Sequence, residues 1–254
     1  MNALRDPGEF IPGASDLHGV AEPERHHPEG DSGAHLELVL RRAWEETGDL
    51  SSAEALPLRM AALFHDAGKA VTGCGPLPPD DAPSWRAFRE ARLSEFRSPA
   101  LKPDGTPSHA LHDRIGAAGV EAIAFDLGLG EGESTFCAFV AGQHMRMHAL
   151  LDDSGSLAVG PKGLRRFVCD VLAVSDGLSP SAFVRVCRAD ARGRAGRESE
   201  PYPQGAVLEA AIDTVRRARE RDEDETRRLK ARWDDFHEIV VDGLSASSAK
   251  PGSL

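Results

Sequence analysis

The stretch Leu56-Pro57-Leu58-Arg59-Met60-Ala61-Ala62-Leu63-Phe64-His65-Asp66-Ala67-Gly68-Lys69 decides how this chain is read. An apolar run at helical spacing, with a proline in its first turn where the missing N–H does no harm, delivers an adjacent His-Asp pair to the end of a core helix. A buried carboxylate there needs a partner, because an unpaired buried charge is strongly unfavourable. The pair can be satisfied by hydrogen bonds from its own neighbourhood. It can also be satisfied by a divalent cation, since Asp oxygen and neutral His nitrogen are both ordinary ligands. The rest of the chain has to choose between the two.

Histidine is the residue that chooses. Ten are present, and His27, His35, His65, His109, His112, His144 and His148 fall at or near helix positions that would face one interior of an all-α bundle. His109 and His112 are three apart and His144 and His148 four apart, so either pair can share a helix face. Asp176 ends the apolar run Val171-Leu172-Ala173-Val174-Ser175 and needs a partner for the same reason as Asp66. Asp190 closes the next helix, just before Arg192 and Arg194. One histidine from each of several helices, with one or two acids, suits a bundle that holds a metal between facing side chains.

Outward from this centre the pattern is helical throughout. Residues 1–24 are rich in Gly, Pro and Asp without periodicity and are read as an extended arm. Helices are expected from Ser32 to about Thr47, from Leu56 to Phe64, from Ala110 to about Leu127 and from Thr135 to about Leu151. Three more follow, from Gly163 to about Gly177, from Pro180 to about Ala191, and from Gly205 to about Val241. Residues 70–108 are an insertion rich in Gly and Pro, with a short helix expected from Trp85 to Phe96. Gly128-Leu129-Gly130-Glu131-Gly132 is too acidic for a dinucleotide loop and reads as a turn. The body of the chain is one all-α domain over residues 25–242, its last helix spanning 205–242, followed by a mobile tail at 243–254.

Composition narrows the function. The chain has 254 residues, 41% of them hydrophobic, enough for one substantial core. No apolar run is long enough to cross a membrane and no leader pattern opens the chain, so a soluble, cytoplasmic protein without a membrane partner is expected. A net charge of −11 argues against long duplex nucleic acid, which needs a broad basic face, though not against a nucleotide or an RNA end. Arg185, Arg188, Arg192, Arg194 and Arg197 cluster, and a solvated surface is the default reading of such a run. Cys74, Cys137, Cys169 and Cys187 are scattered and fit reduced thiols.

The order His35, His65-Asp66, then a later Asp resembles the HD phosphohydrolase superfamily. Around it lie His27-Pro28-Glu29-Gly30-Asp31, then Leu63 to Lys69, His109 and His112 with Gly116, His144, Ala189-Asp190-Ala191-Arg192-Gly193-Arg194, and Pro201-Tyr202-Pro203-Gln204-Gly205. This series, over roughly residues 25–210, is similar to the HD domain behind the catalytic head of bacterial CCA-adding tRNA nucleotidyltransferases. Two departures stand out: no Gly-Ser loop with a D-x-D pair precedes the HD region, and the segment between Lys69 and His109 is longer than the family loop.

The resemblance implies an HD-domain helical bundle and metal-dependent 2′,3′-cyclic phosphodiesterase, 2′-nucleotidase or phosphatase activity on nucleotides or RNA 3′ ends. It places His35, His65, Asp66 and a C-terminal Asp around a first ion; Asp176 is favoured and Asp190 is its rival. His112 and His144 would hold a second ion bridged by Asp66, or bind phosphate oxygens beside a single ion. The ion would be Mn, Ni, Co, Fe or Zn, one or two per chain. His65, Asp66 and Lys69 are the expected catalytic residues, and Lys69, His109, His148, Asp190, Arg192 and Arg194 the expected substrate contacts. The alternatives are a 5′-nucleotidase or signalling-nucleotide hydrolase, and a non-catalytic nucleotide-binding HD module. The oligomeric state is left open.

Overall fold

A computed structural model describes residues 14–72, 109–175, 177–179 and 181–221. Expectations for the arm before residue 14, Asp176, most of the insertion with its Trp85–Phe96 helix, and the chain beyond Arg221 lie outside the described residues. The described residues are helical, with two isolated bridges and no strand among them. A 3-10 turn, Ser15–Leu17, precedes α1 (Ser32–Glu46), α2 (Ser52–Phe64), the single turn α3 (Lys69–Thr72), α4 (His112–Asp126) and α5 (Glu131–His148). Then come α6 (Pro161–Val174), α7 (Ala182–Arg192) and α8 (Pro203–Arg221). The all-α reading holds.

The chain divides into two compact units, residues Met1–His144 with Arg185–Glu200, and Met145–Val184 with the chain from Pro201 onward. In the first, α1 packs on α2 and α2 on α4. Leu36, Val39, Leu58, Phe64, Ile115, Val120 and Phe136 are buried there. In the second, α6 packs against α8, with Leu164, Phe167, Val171, Leu208 and Ile212 buried. Phe167 and Phe183 meet edge to face in that core at 5.7 Å, an arrangement aromatic quadrupoles favour.

Local chemistry sets the helix ends. Asp31 caps α1, accepting hydrogen bonds from the backbone N–H groups of Gly33 and Ala34 at 2.9 Å each. That places His35 in the first turn, facing inward. Ser51 and Glu54 form a reciprocal capping box at the start of α2, and Pro57 sits inside that helix. Helix α5 begins at Glu131, four residues earlier than the periodicity of Thr135 onward indicates. Glu133 accepts from the Gly130 N–H at 2.9 Å, and two early acids complement the helix dipole, which carries the helix through Gly132. Trp44, on the apolar pattern of α1, is 60% exposed and covered by the Arg59 guanidinium, 3.3 Å from the ring centroid.

Replacing Ser51 with Ala removes one half of the capping box. Thermal unfolding of Ser51→Ala should show a loss of about 1 kcal/mol, or roughly 3 °C in Tm for a chain of this size.

Candidate metal centre

Two places where only glycine fits assemble the centre. At Gly68, just after the His-Asp pair, an added Cβ would lie 1.9 Å from the His112 carbonyl oxygen, so the end of α2 abuts the start of α4. At Gly193, an added Cβ would lie 2.5 Å from a Val39 methyl carbon, so the end of α7 lies against α1. Ion pairs reinforce this second approach. Glu46 near the end of α1 binds Arg188 at 2.8 Å and Arg192 at 3.2 Å, and Asp49 binds Arg185. These three arginines of the basic run are thus spent on intramolecular carboxylates.

The result is an arc of imidazoles around Asp66. Ring centroids are 5.5 Å apart for His35 and His65, 5.4 Å for His65 and His144, and 5.3 Å for His144 and His112. Asp66 Oδ1 lies 3.1 Å from His112 Nε2 and 3.4 Å from His144 Nε2. Its Oδ2 lies 3.2 Å from His65 Nε2 and 4.0 Å from His35 Nε2. Asp190 Oδ1 stands 3.1 Å from His35 Nε2 and 3.7 Å from His65 Nε2. All six residues are buried.

The outer nitrogens fix what the inner ones are. His65 Nδ1–H donates to the Ala62 carbonyl at 2.8 Å, His112 Nδ1–H to His109 at 2.7 Å, and His144 Nδ1–H to Ala141 at 2.9 Å. A carbonyl only accepts, so each Nδ1 carries a proton, and a ring with no second proton turns an Nε2 lone pair inward. Those lone pairs converge on carboxylate oxygens, and His112 Nε2 faces His144 Nε2 at 3.3 Å. Acceptors aimed at acceptors in a dry interior need a cation or extra protons between them. Two atoms register the conflict: His65 Nε2 and Asp66 Oδ1 are fully buried without a hydrogen-bond partner. His, His and carboxylate sets within 4.8 Å occur at His35, His65 and Asp66 and again at Asp66, His112 and His144. The residues present therefore fit a metal.

Electrostatics agree with that need. Burial raises the Asp66 pKa, but Lys69 and the surrounding histidines outweigh it and hold the carboxyl well below its usual range. Burial likewise lowers His35, yet its bonds to Asp190 and Glu29 win and raise it to about 9. His144 is raised by Asp66 against the pull of burial. Lys69, buried, is raised to about 12 by Asp66 and Glu22, which outweigh its desolvation. Its Nζ lies 2.9 Å from Asp66 Oδ2 and pairs with Glu22 Oε1. Lys69 pairs with Glu22 and Asp66 while Asp190 stands against His35 and His65, so the remaining negative charge calls for protonated histidines or a bound ion.

The structure thus brings together His35, His65, Asp66, Lys69, His112, His144 and Asp190. His109 sits beside them, its Nε2 3.1 Å from the Ala21 carbonyl and its Nδ1 3.2 Å from the Thr72 hydroxyl. His148 lies in the second unit, where Nδ1 is 3.2 Å from the Tyr202 hydroxyl. Arg192 is bound to Glu46, whereas Arg194 has a buried Nε without a hydrogen-bond partner. Two acids beside the arc had been given no role from sequence: Glu22, against Lys69, and Glu29, against His35. Glu29 belongs to the quoted His27–Asp31 motif; Glu22 lies in an aperiodic segment that carries no signal.

The chain is similar to part of three curated proteins called Multifunctional CCA protein. It is 31% identical over 215 residues to the one from Alkalilimnicola ehrlichii, covering 83% of this chain and 42% of that protein. For Methylococcus capsulatus the identity is 33%, with 83% and 41% covered. For Teredinibacter turnerae it is 30%, with 85% and 44% covered. The chain therefore spans about two fifths of the length of these relatives. No family model matches it. No solved structure matches it. Among the described residues no helix is long and apolar enough to cross a membrane. Cys137, Cys169 and Cys187 are free thiols.

Asp66→Ala should abolish stoichiometric metal uptake and His65→Ala should lower it, read by elemental analysis after equilibration with Mn2+ and desalting, while the far-ultraviolet helical signal persists.

Proposed function

We propose that this chain is a metal-dependent phosphohydrolase acting on nucleotide or RNA 3′-end phosphates, most readily 2′,3′-cyclic and 2′-phosphates. The observation that carries this reading is the set of buried imidazole lone pairs aimed at the two oxygens of Asp66. The similarity to Multifunctional CCA proteins supports an RNA-end substrate, as does the resemblance to the HD domain of CCA-adding enzymes.

His35, His65, Asp66 and Asp190 would hold one ion, and Asp66, His112 and His144 a second. The bridging position of Asp66, one oxygen towards each histidine pair, supports two ions rather than one. Mixed imidazole and carboxylate donors suit Mn, Ni, Co, Fe or Zn. When bound, such ions act as Lewis acids and activate water for attack on phosphorus. Asp66 would orient the attacking water, and its carboxylate is held for that task by Lys69. Arg194, with its unpartnered buried Nε, is the better placed of the two expected arginines to neutralise phosphate oxygens, since Arg192 is already bound to Glu46. Burial of the arc keeps bulk water from screening these charges.

Asp190 is proposed as the C-terminal ligand in place of Asp176, because its Oδ1 reaches both His35 and His65. Asp190→Ala should lose one ion, and activity with it, whereas Asp176→Ala should retain the wild-type metal content. The substrate reading is tested with 2′,3′-cAMP, 2′-AMP, 5′-AMP and p-nitrophenyl phosphate across Mn2+, Ni2+, Co2+, Fe2+ and Zn2+. Faster turnover of 2′,3′-cAMP and 2′-AMP is expected. Preference for 5′-AMP would indicate a 5′-nucleotidase, and no turnover by metal-loaded protein would refute the enzymatic reading.

A further inference from the structure

Three of the converging histidines turn Nδ1 to main-chain carbonyls, and His35 adds a carboxylate to such a carbonyl. Its Nδ1 lies 3.2 Å from the Gly193 carbonyl oxygen and 3.0 Å from Oε1 of Glu29. The Glu29 side chain is only 4% exposed. It is also held from two other directions: its Oε1 is 2.9 Å from His27 Nδ1, and its Oε2 accepts the Ala195 N–H at 3.2 Å. The carboxylate therefore bridges the loop before α1, which presents His35, and the loop after α7, which follows Asp190.

We propose that Glu29 is a positioning residue of the metal centre, its carboxylate bound to the outer nitrogen of His35 while the inner nitrogen faces the ion. The proposal rests on the metal reading above. The Gly193 carbonyl alone would suffice to fix the tautomer, so what Glu29 adds is charge. A charge-assisted bond in a dry site holds the ring rigidly and strengthens the opposite lone pair as a donor. A competing use of the same atoms is a separate cation on His27, Glu29 and His35 Nδ1, which also lie within 4.8 Å of one another. That would require the His35 ring to give up both protons to serve ions on both sides.

The test uses the full chain and the variant Glu29→Gln, which keeps size and an acceptor oxygen but removes the charge. Affinities for Mn2+ and Zn2+ are measured by competition with a chromophoric chelator, and melting temperatures in chelator report the metal-free fold. Glu29→Gln should bind about 10–100-fold more weakly, at unchanged stoichiometry and with the metal-free melting temperature within a few degrees. Equal affinity, or a stoichiometry lower by one ion, would overturn the role of Glu29 while leaving the metal centre standing. A wild-type chain that binds no ion overturns both. Imidazole 1H–15N spectra of the zinc-loaded wild type need no variant to fold. They should place the His35 Nδ1–H resonance downfield of those of His65, His112 and His144, and coincidence with them would refute the proposal.

Discussion

The structure of the first unit turns on the burial of one carboxylate among imidazole lone pairs. Asp66 is surrounded on Oδ1 by His112 and His144 and on Oδ2 by His65, His35 and Lys69. Backbone carbonyls take the Nδ1 protons of three of these rings, so the inner nitrogens of uncharged rings have no proton to give Asp66. A protein interior tolerates such a convergence only when something positive occupies it or when histidines are charged. That constraint accounts for the two atoms at its heart that lack hydrogen-bond partners, and it makes the cluster a candidate site for a cation.

Much of the surrounding architecture serves to press helices together at that point. Gly68 lets the end of α2 touch the start of α4, and Gly193 lets the end of α7 touch α1. The arginines of α7 clamp the acids at the end of α1. A run of basic residues that reads by default as a solvated surface is therefore largely an internal fastening. Lys69 plays the complementary part within the site, neutralising Asp66 and Glu22 at once. An incoming anion would meet a lysine already paired with two carboxylates.

The helices were legible in the chain because each buries one face, and burial imposes a 3.6-residue rhythm. The His65-Asp66 pair was legible for the same reason: an apolar helix that ends in two polar groups must give them a partner. The start of α5 was missed by four residues because Glu133 capping Gly130 is a local electrostatic effect, not a hydrophobic one. Trp44 follows the apolar rhythm of α1 and yet faces solvent, since Arg59 covers it there.

By itself the sequence determined an all-α chain with histidines and acids spaced to meet in its interior. It favoured Asp176 over Asp190 because Asp176 ends a longer apolar run, a local pattern that carries no information on which acid meets the histidines. Only the tertiary structure put Asp190 within reach of His35 and His65, through a glycine contact between residues 154 positions apart in the chain, Val39 and Gly193. The same holds for Glu22 and Glu29, which lie in segments without periodicity and acquire their partners through distant chain contacts. Periodicity records which side of a helix is dry; it carries no record of which dry sides face each other.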